Sequence, residues 1–238
     1  MELFVLAGGL GTRLREVVSD VPKSMAPVDG EPFLSYVLRY RKKQGVSAFL
    51  ISVGYLAEKI QGYYGNSFEG CSIRYMEEIS PLGTGGAFMK MLREVMPTNP
   101  FLMVNGDTFF AVDLLSLKKC HDQNGAILTI CAFNSIETDR YACINQNAEG
   151  KIVDFGQKSH QGPSEIICNG GVYMFDASVR NYFKGFEEES YSLESDLIKP
   201  LISKSNSVFV KVFNAPFLDI GLPHDYERAA EILKAEKG

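Results

Sequence analysis

The sequence has no excess of positive charge: 24 lysines and arginines stand against 29 aspartates and glutamates, a formal net charge of −5 over 238 residues. Sequence-independent nucleic-acid binding rests on clustered cations that neutralise phosphates, so no nucleic-acid partner is expected, and any phosphate the protein holds must be gripped locally. No apolar run approaches the ~20 residues of a spanning helix, and no basic leader precedes the short apolar stretch near Met1. We therefore expect no membrane span, no signal peptide and a cytoplasmic location. Cysteine is sparse and never paired as C-x-x-C. Cys71, Cys120, Cys131, Cys143 and Cys168 are scattered and odd in number, which fits reduced thiols in the core better than a disulfide frame or a zinc site. Repeats, linkers and low-complexity segments are also missing. The three histidines, His121, His160 and His224, are expected in surface or capping roles.

What is present is alternation. With 45% hydrophobic and 22% charged residues, the composition is that of an ordinary globular chain. The run Leu3-Phe4-Val5-Leu6 has the length and punctuation of a buried strand. A helix is predicted after Pro32, where Phe33, Leu34, Val37, Leu38 and Arg41 recur at helical spacing and Gly45 stops it. A strand at Phe49–Val53, a helix at Ala57–Tyr64, a strand at Ser72–Met76, a helix from Gly85 to Val95, a strand at Phe101–Val104 and a helix from Leu114 to Cys120 follow. Such alternation is the signature of parallel βαβ units, giving an α/β fold with a mostly parallel central sheet and helices on both faces. The second half changes character: Tyr141–Asn145 and Lys151–Phe155 flank "QNAEG" as a hairpin, and Ile166 to Phe175 reads as a strand interrupted by Asn169-Gly170-Gly171. A helix from Leu193, a strand from Val208 to Phe213 and a helix after Pro223 complete a mixed second half.

Directly after the first strand comes Leu6-Ala7-Gly8-Gly9-Leu10-Gly11-Thr12-Arg13-Leu14. A glycine-rich loop exposes backbone N–H groups that can cradle a phosphate, although a tight strand-to-helix turn would use glycines too. The dinucleotide fingerprint G-x-G-x-x-G fails, because Leu14 stands where its last glycine belongs. A P-loop fails as well, since Lys23-Ser24 follows Pro22. Arg13 offers a planar fork for phosphate oxygens and Lys23 a compact point charge, together a local anion trap unless both are solvated surface charges. Asp107, after Asn105-Gly106, reads either as a turn aspartate or as a metal ligand; Asp219 reads either as a helix-opening residue or as a second ligand.

"LAGGLGTRL…VPKSMAPVDGEPFL" resembles the signature of the sugar-1-phosphate nucleotidylyltransferases, the nucleoside-diphosphate-sugar pyrophosphorylases. "SPLGTGGA" (80–87), "VNGD" (104–107), "NGGVYMF" (169–175), "SLESD" (192–196) and "LDIGLPHDYERA" (218–229) match the family in order across the chain. The resemblance implies a single domain over 1–238 with a Rossmann-like three-layer nucleotidyltransferase fold. Its nucleotide-binding part would cover about 1–125 and its sugar-phosphate-binding part about 126–238. The implied reaction is in-line attack of a sugar 1-phosphate on the α-phosphorus of a nucleoside triphosphate, with pyrophosphate leaving; it needs positioning and charge neutralisation more than a protein nucleophile.

By the same resemblance Leu6, Ala7, Gly8, Gly9, Gly11 and Thr12 hold the triphosphate, Arg13 takes the departing pyrophosphate and Lys23 stabilises charge at the α-phosphate. Pro81, Leu82, Gly83 and Thr84 contact the base, and Asn105 and Gly106 complete the nucleotide site. Asp107 and Asp219 bind Mg²⁺, whose hard-oxygen preference two carboxylates and phosphates satisfy. Gly85, Asn169, Gly170, Gly171 and Glu194 contact the sugar. Many relatives carry Glu-Lys-Pro ahead of the sugar-binding strand, whereas this chain has Phe155-Gly156-Gln157-Lys158-Ser159, so Lys158 is carried over from an incomplete motif. "PKSMAPVDGEPFL" with "PLGTGGA" looks closest to the D-glycero-D-manno-heptose 1-phosphate guanylyltransferases. GTP and a heptose 1-phosphate are thus the favoured partners, with mannose, glucose or amino-sugar phosphates and UTP or CTP as alternatives. A noncatalytic nucleotide-sugar-binding subunit is the competing class. Family members often assemble as dimers or tetramers, and the sequence leaves homo-oligomerisation open.

Overall fold

The computed structural model describes residues 1–9, 20–136, 141–156, 165–185 and 190–235. In chain order the elements are β1 (Glu2–Leu6), β2 (Pro27–Val28), β3 (Glu31–Pro32), α1 (Phe33–Lys43), β4 (Ala48–Val53), α2 (Ala57–Tyr64), β5 (Ser67–Phe68) and β6 (Cys71–Glu77). Then come α3 (Gly83–Glu94), β7 (Phe101–Asn105), β8 (Thr108–Phe110), α4 (Leu114–Gln123), β9 (Leu128–Ser135), β10 (Cys143–Gln146), β11 (Ile152–Phe155) and β12 (Ile166–Phe175). A π-helix (Leu193–Ile198) runs into α5 (Lys199–Lys204), followed by β13 (Val208–Val212), β14 (Phe217–Asp219) and α6 (Pro223–Ala235). No helix among the described residues is long and apolar enough to cross a membrane.

The chain forms two compact units. The first comprises Met1–Pro81, Met103–Ala111 and Pro216–Gly238. Its strands are ordered β7-β1-β4-β6-β5, with β1 parallel to β4 and β4 parallel to β6. Strands β1 and β4 are apolar and buried along nearly their whole length, as strands covered on both faces must be. Strand β6 alternates buried and exposed residues, and the short antiparallel β5 caps its edge. Leu3, Phe33, Leu34, Leu38, Phe49 and Ile51 are buried in this unit's core. Strands β8 and β14 form a separate antiparallel ribbon.

The second unit comprises Leu82–Leu102 and Val112–Ala215. Its strands run β11-β10-β12-β9-β13, antiparallel except for the parallel β9–β13 pair. The hairpin and the mixed character follow the sequence expectation. Strand β9 lies where no strand is expected from sequence alone: Leu128 to Ala132 are buried without a break, so the run lacks the alternation that would set it apart. Phe88, Phe101 and Phe175 pack together, with ring centroids 4.6 Å apart for Phe88–Phe175 and 5.5 Å for Phe101–Phe175. Such ring pairs contribute about 0.5–1.5 kcal/mol each beyond area burial.

His121 departs from its expected surface role. It is buried, with Nδ1 2.9 Å from Thr129 Oγ1, and burial pushes its imidazole below the ordinary histidine range. The reason is helical phase: His121 shares the inward face of α4 with Leu114 and Leu117. His224 is exposed in the first turn of α6, and His160 lies outside the described residues. The five cysteines are free thiols, all but Cys120 buried.

The C-terminus of α1 shows how local sequence sets a boundary. Gly45 N–H donates to Lys42 O at 2.9 Å and Val46 N–H to Arg41 O at 3.2 Å, the paired bonds of a Schellman turn, with Gly45 at φ +89°. Arg41, Lys42 and Lys43 occupy the last turn, where positive charge complements the helix dipole. Gly45→Ala is expected to cost about 1–2 kcal/mol, the penalty for an L-residue in the left-handed region. Thermal unfolding should show Tm lowered by several degrees; an unchanged Tm would show that the turn does not need its glycine.

Candidate functional site

In the first unit the chain leaves β1 as Ala7-Gly8-Gly9. Ala7 N–H donates to Ser52 O at 3.0 Å, and Gly106 N–H donates to Leu6 O at 2.8 Å, tying the loop after β1 to the turn after β7. A side chain at Gly106 would meet Leu6 O, a backbone atom that cannot yield. Glu78 stands against Gly8 and accepts a 2.7 Å hydrogen bond from the buried Ser52 hydroxyl. Neither Ser52 nor Glu78 stands out in the sequence; the only available hint is that Ser52 lies one residue before the end of an apolar strand and Glu78 directly follows another strand. Gly11, Thr12 and Arg13 lie outside the described residues.

Lys23 opens a 3-10 turn after Pro22, and its ammonium bonds Asp107 Oδ2 at 2.7 Å and Asp219 Oδ1 at 3.1 Å. Ribbon register explains the convergence: Asp219 is paired with Thr108, the residue after Asp107. Gly221 N–H also donates to Asp219 Oδ1 at 2.8 Å, fixing that carboxylate's rotamer. Burial disfavours the Lys23 charge, yet attraction and hydrogen bonding from Asp107 and Asp219 outweigh it, so the ammonium holds its proton above the usual lysine range. The three side chains that sequence reasoning singles out therefore form one cluster. Two carboxylates that share one ammonium are close enough to share a metal cation, and their oxygens suit a hard divalent ion. No group of three or more candidate ligands occurs among the described residues, so substrate or water oxygens would have to complete the shell.

The second unit carries the other set. Pro81 closes the first unit, and Leu82-Gly83-Thr84-Gly85 opens α3, where the chain at 191–193 packs directly on it. Gly85 N–H donates to Tyr191 O at 2.8 Å, Tyr191 N–H to Leu82 O at 2.9 Å, and Leu193 N–H to Thr84 Oγ1 at 3.0 Å. A Cβ at Gly83 would stand 2.6 Å from Tyr191 O, and one at Gly85 2.9 Å from Leu193 N. The close approach expected from these glycines thus has the chain itself as one partner, and it seats the residue next to Glu194.

Asn169, Gly170 and Gly171 form a bulge in β12. Asn169 pairs with Ala132 and Val172 with Cys131, so the two glycines have no opposite residues on β9. Asn169 Oδ1 accepts from Gly171 N–H at 3.1 Å, while Nδ2 donates to Glu194 Oε1 and to Tyr173 Oη, both at 2.7 Å. Burial pushes the Glu194 carboxyl above the usual range, with the Asn169 hydrogen bond opposing. Glu194 lines a cavity of about 360 Å³ with Ala142, Phe155, Gly156, Ser195 and Lys199. Lys158 lies outside the described residues.

Gly221→Ala tests the Lys23 geometry. A Cβ there collides with the Lys23 Nζ, the far end of a flexible chain that can swing aside, so the fold should persist while Tm falls by the modest amount that losing a partly exposed ion pair costs. Moved off the carboxylates, the Lys23 ammonium should titrate closer to the ordinary lysine range by NMR, since attraction and hydrogen bonding from Asp107 and Asp219 raise it; an unchanged titration would show that the ammonium keeps its place. Glu194→Gln tests the buried carboxyl. Because the folded-state pKa is raised, its stabilising contribution is full below the ordinary carboxylate range and is lost as pH rises through the raised value. The Tm of the variant relative to wild type should therefore climb from pH 4 to pH 8, and a difference that does not vary with pH would contradict this.

Comparison with known proteins places the chain in a family. The nucleotidyl transferase family model matches residues 3–236. The chain is 39% identical to the D-glycero-alpha-D-manno-heptose 1-phosphate guanylyltransferase of Aneurinibacillus thermoaerophilus, covering 98% of this chain and 99% of that protein. It is 35% identical to the protein of the same name from Campylobacter jejuni, covering 95% and 97%. HddC from Yersinia pseudotuberculosis, solved in complex with GMP-PN, has a TM-score of 0.81 at 29% identity, covering 97% and 98%. A β1 loop of small residues, a carboxylate pair around Lys23 and full-length similarity to such enzymes lead to one assignment: this chain belongs to the nucleotidyl transferase family.

Proposed function

We propose that the protein transfers a guanylyl group from GTP to D-glycero-α-D-manno-heptose 1-phosphate, giving GDP-heptose and pyrophosphate. The observation that carries this reading is full-length similarity, at 39% and 35% identity, to two proteins named for that activity. A relative solved with GMP-PN adds support for a guanine nucleotide. These substrates are small phosphorylated metabolites, and the cytoplasm is the compartment we infer.

In the reaction a phosphate oxygen of the sugar 1-phosphate bonds to the α-phosphorus of GTP as the bond from that phosphorus to the β-phosphate oxygen breaks. The loop at Gly8 and Gly9 and the turn at Asn105 and Gly106 cradle the nucleotide. Lys23 supplies positive charge to the α-phosphate oxygens as they crowd in the transition state. Arg13 serves the leaving pyrophosphate. Asp107 and Asp219 would hold Mg²⁺, which when bound neutralises phosphate charge and lowers the repulsion between the two substrates. Glu194 and Asn169 orient the sugar so that its phosphate lies in line, and Leu82 to Thr84 border the base.

The test is pyrophosphate release by the purified protein with Mg²⁺, pairing GTP, UTP, CTP and ATP with heptose, mannose and glucose 1-phosphates. Release with GTP and the heptose phosphate is expected. Asp107→Asn and Asp219→Asn should each lower it by at least about 10²-fold, as loss of a charge-positioning group does, with Tm retained. Turnover with a different pair would replace the substrates, and nucleotide binding without release from any pair would favour a noncatalytic subunit.

A further inference from the structure

The helix that carries Glu194 does not begin as an α-helix. Leu193–Ile198 is a π-helix, and Lys199 N–H donates to the Glu194 carbonyl, a step of five residues. In an α-helix, residues five apart are separated by about 140° around the axis. The i→i+5 bond of a π-turn brings them closer to one face, and such turns, rare overall, are frequent at functional sites. The consequence is visible in the cavity of about 360 Å³, where Glu194 and Lys199 are both lining residues.

Each side chain keeps bonding capacity there. Glu194 Oε1 takes the Asn169 amide at 2.7 Å, and Oε2 has no hydrogen bond among the described residues. The Lys199 side chain is exposed, and its ammonium has no hydrogen bond or ion pair among the described residues. One cavity whose lining includes a residue with a carboxylate acceptor, a residue with an ammonium donor and the apolar Phe155 matches the demands of a sugar, whose hydroxyls both donate and accept and whose C–H face is apolar.

We propose that Lys199 is a sugar-contacting, specificity-determining residue, and that the π-turn pairs it with Glu194 on neighbouring hydroxyls of the sugar 1-phosphate. Glu194 accepts from one hydroxyl, and Lys199 donates to the oxygen of the next. This deepens the proposed function and rests on it only in taking the acceptor substrate to be a sugar 1-phosphate; the choice of heptose and of GTP does not enter.

Steady-state kinetics should use whichever nucleotide and sugar phosphate the wild-type protein turns over fastest, so that a wrong substrate choice leaves the test intact. Lys199→Met is expected to raise KM for the sugar 1-phosphate at least tenfold, with KM for the nucleotide, kcat and Tm little changed. Lys199→Arg should recover part of the loss. Combined with Glu194→Gln, the rise in KM should be smaller than the product of the single effects, because both groups serve one diol. An unchanged sugar KM in Lys199→Met, equal rises for both substrates, or full multiplicativity in the double variant would overturn the proposal. If no pair gives turnover, the functional reading fails, and calorimetry with heptose and mannose 1-phosphates replaces kinetics. Weaker binding by Lys199→Met would then support the proposal, while equal binding, or none by wild type, would overturn it.

Discussion

One ammonium sets the arrangement of the first unit. Lys23, near the start of the chain, lies between one carboxylate from its middle and one from near its end, and removing it would leave Asp107 and Asp219 with no counter-charge between them. Fully buried pairs cost about 3–5 kcal/mol to break in this way. Here the figure is smaller, because the Asp107 side chain is 36% exposed. Several features make sense as supports for this contact. The β8–β14 ribbon sets the carboxylates in register, the bare Cα of Gly221 leaves room for the ammonium, and Gly106 allows the turn before Asp107 to close on β1.

The second unit solves a different problem, that of holding an acid in a poorly hydrated place. Glu194 is anchored through Asn169, which is itself fixed by the Gly171 amide and the Tyr173 hydroxyl, so the carboxylate is oriented before any ligand arrives. Orientation of this kind destabilises the folded chain slightly and favours a polar ligand that can replace lost water. The glycines of the 82–85 segment serve the same end by letting residues 191–193 lie directly against α3.

Much of this was legible in the letters, for reasons that differ from residue to residue. Helical spacing after Pro32 and the stop at Gly45 specify α1, because burial and turn chemistry act locally there. Lys23, Asp107 and Asp219 could be nominated through motif resemblance, but their mutual contact depends on ribbon register, which no local pattern encodes. Strand β9 escaped because burial on both faces erases alternation. The inward His121 was hidden by the assumption that a polar ring belongs outside, when helical phase put it beside Leu117. The π-turn is the least legible feature: "SLESD" is as good a start for an α-helix, with Ser192 capping either, and only the observed five-residue bond distinguishes them.

The long separation between Lys23 and Asp219 also bears on the order in which the protein acquires its Lys23–Asp107–Asp219 cluster during synthesis. The contact spans 196 positions, and Asp219 lies on a strand that follows every strand of both units. A growing chain that has emerged only through α5 already holds Lys23 and Asp107 but not the second carboxylate. Contacts this distant in sequence form late, after the intervening chain has paid its closure entropy. The ribbon therefore works as a closing stitch: the nascent protein cannot complete the Lys23–Asp107–Asp219 cluster before the rest of the chain has been made.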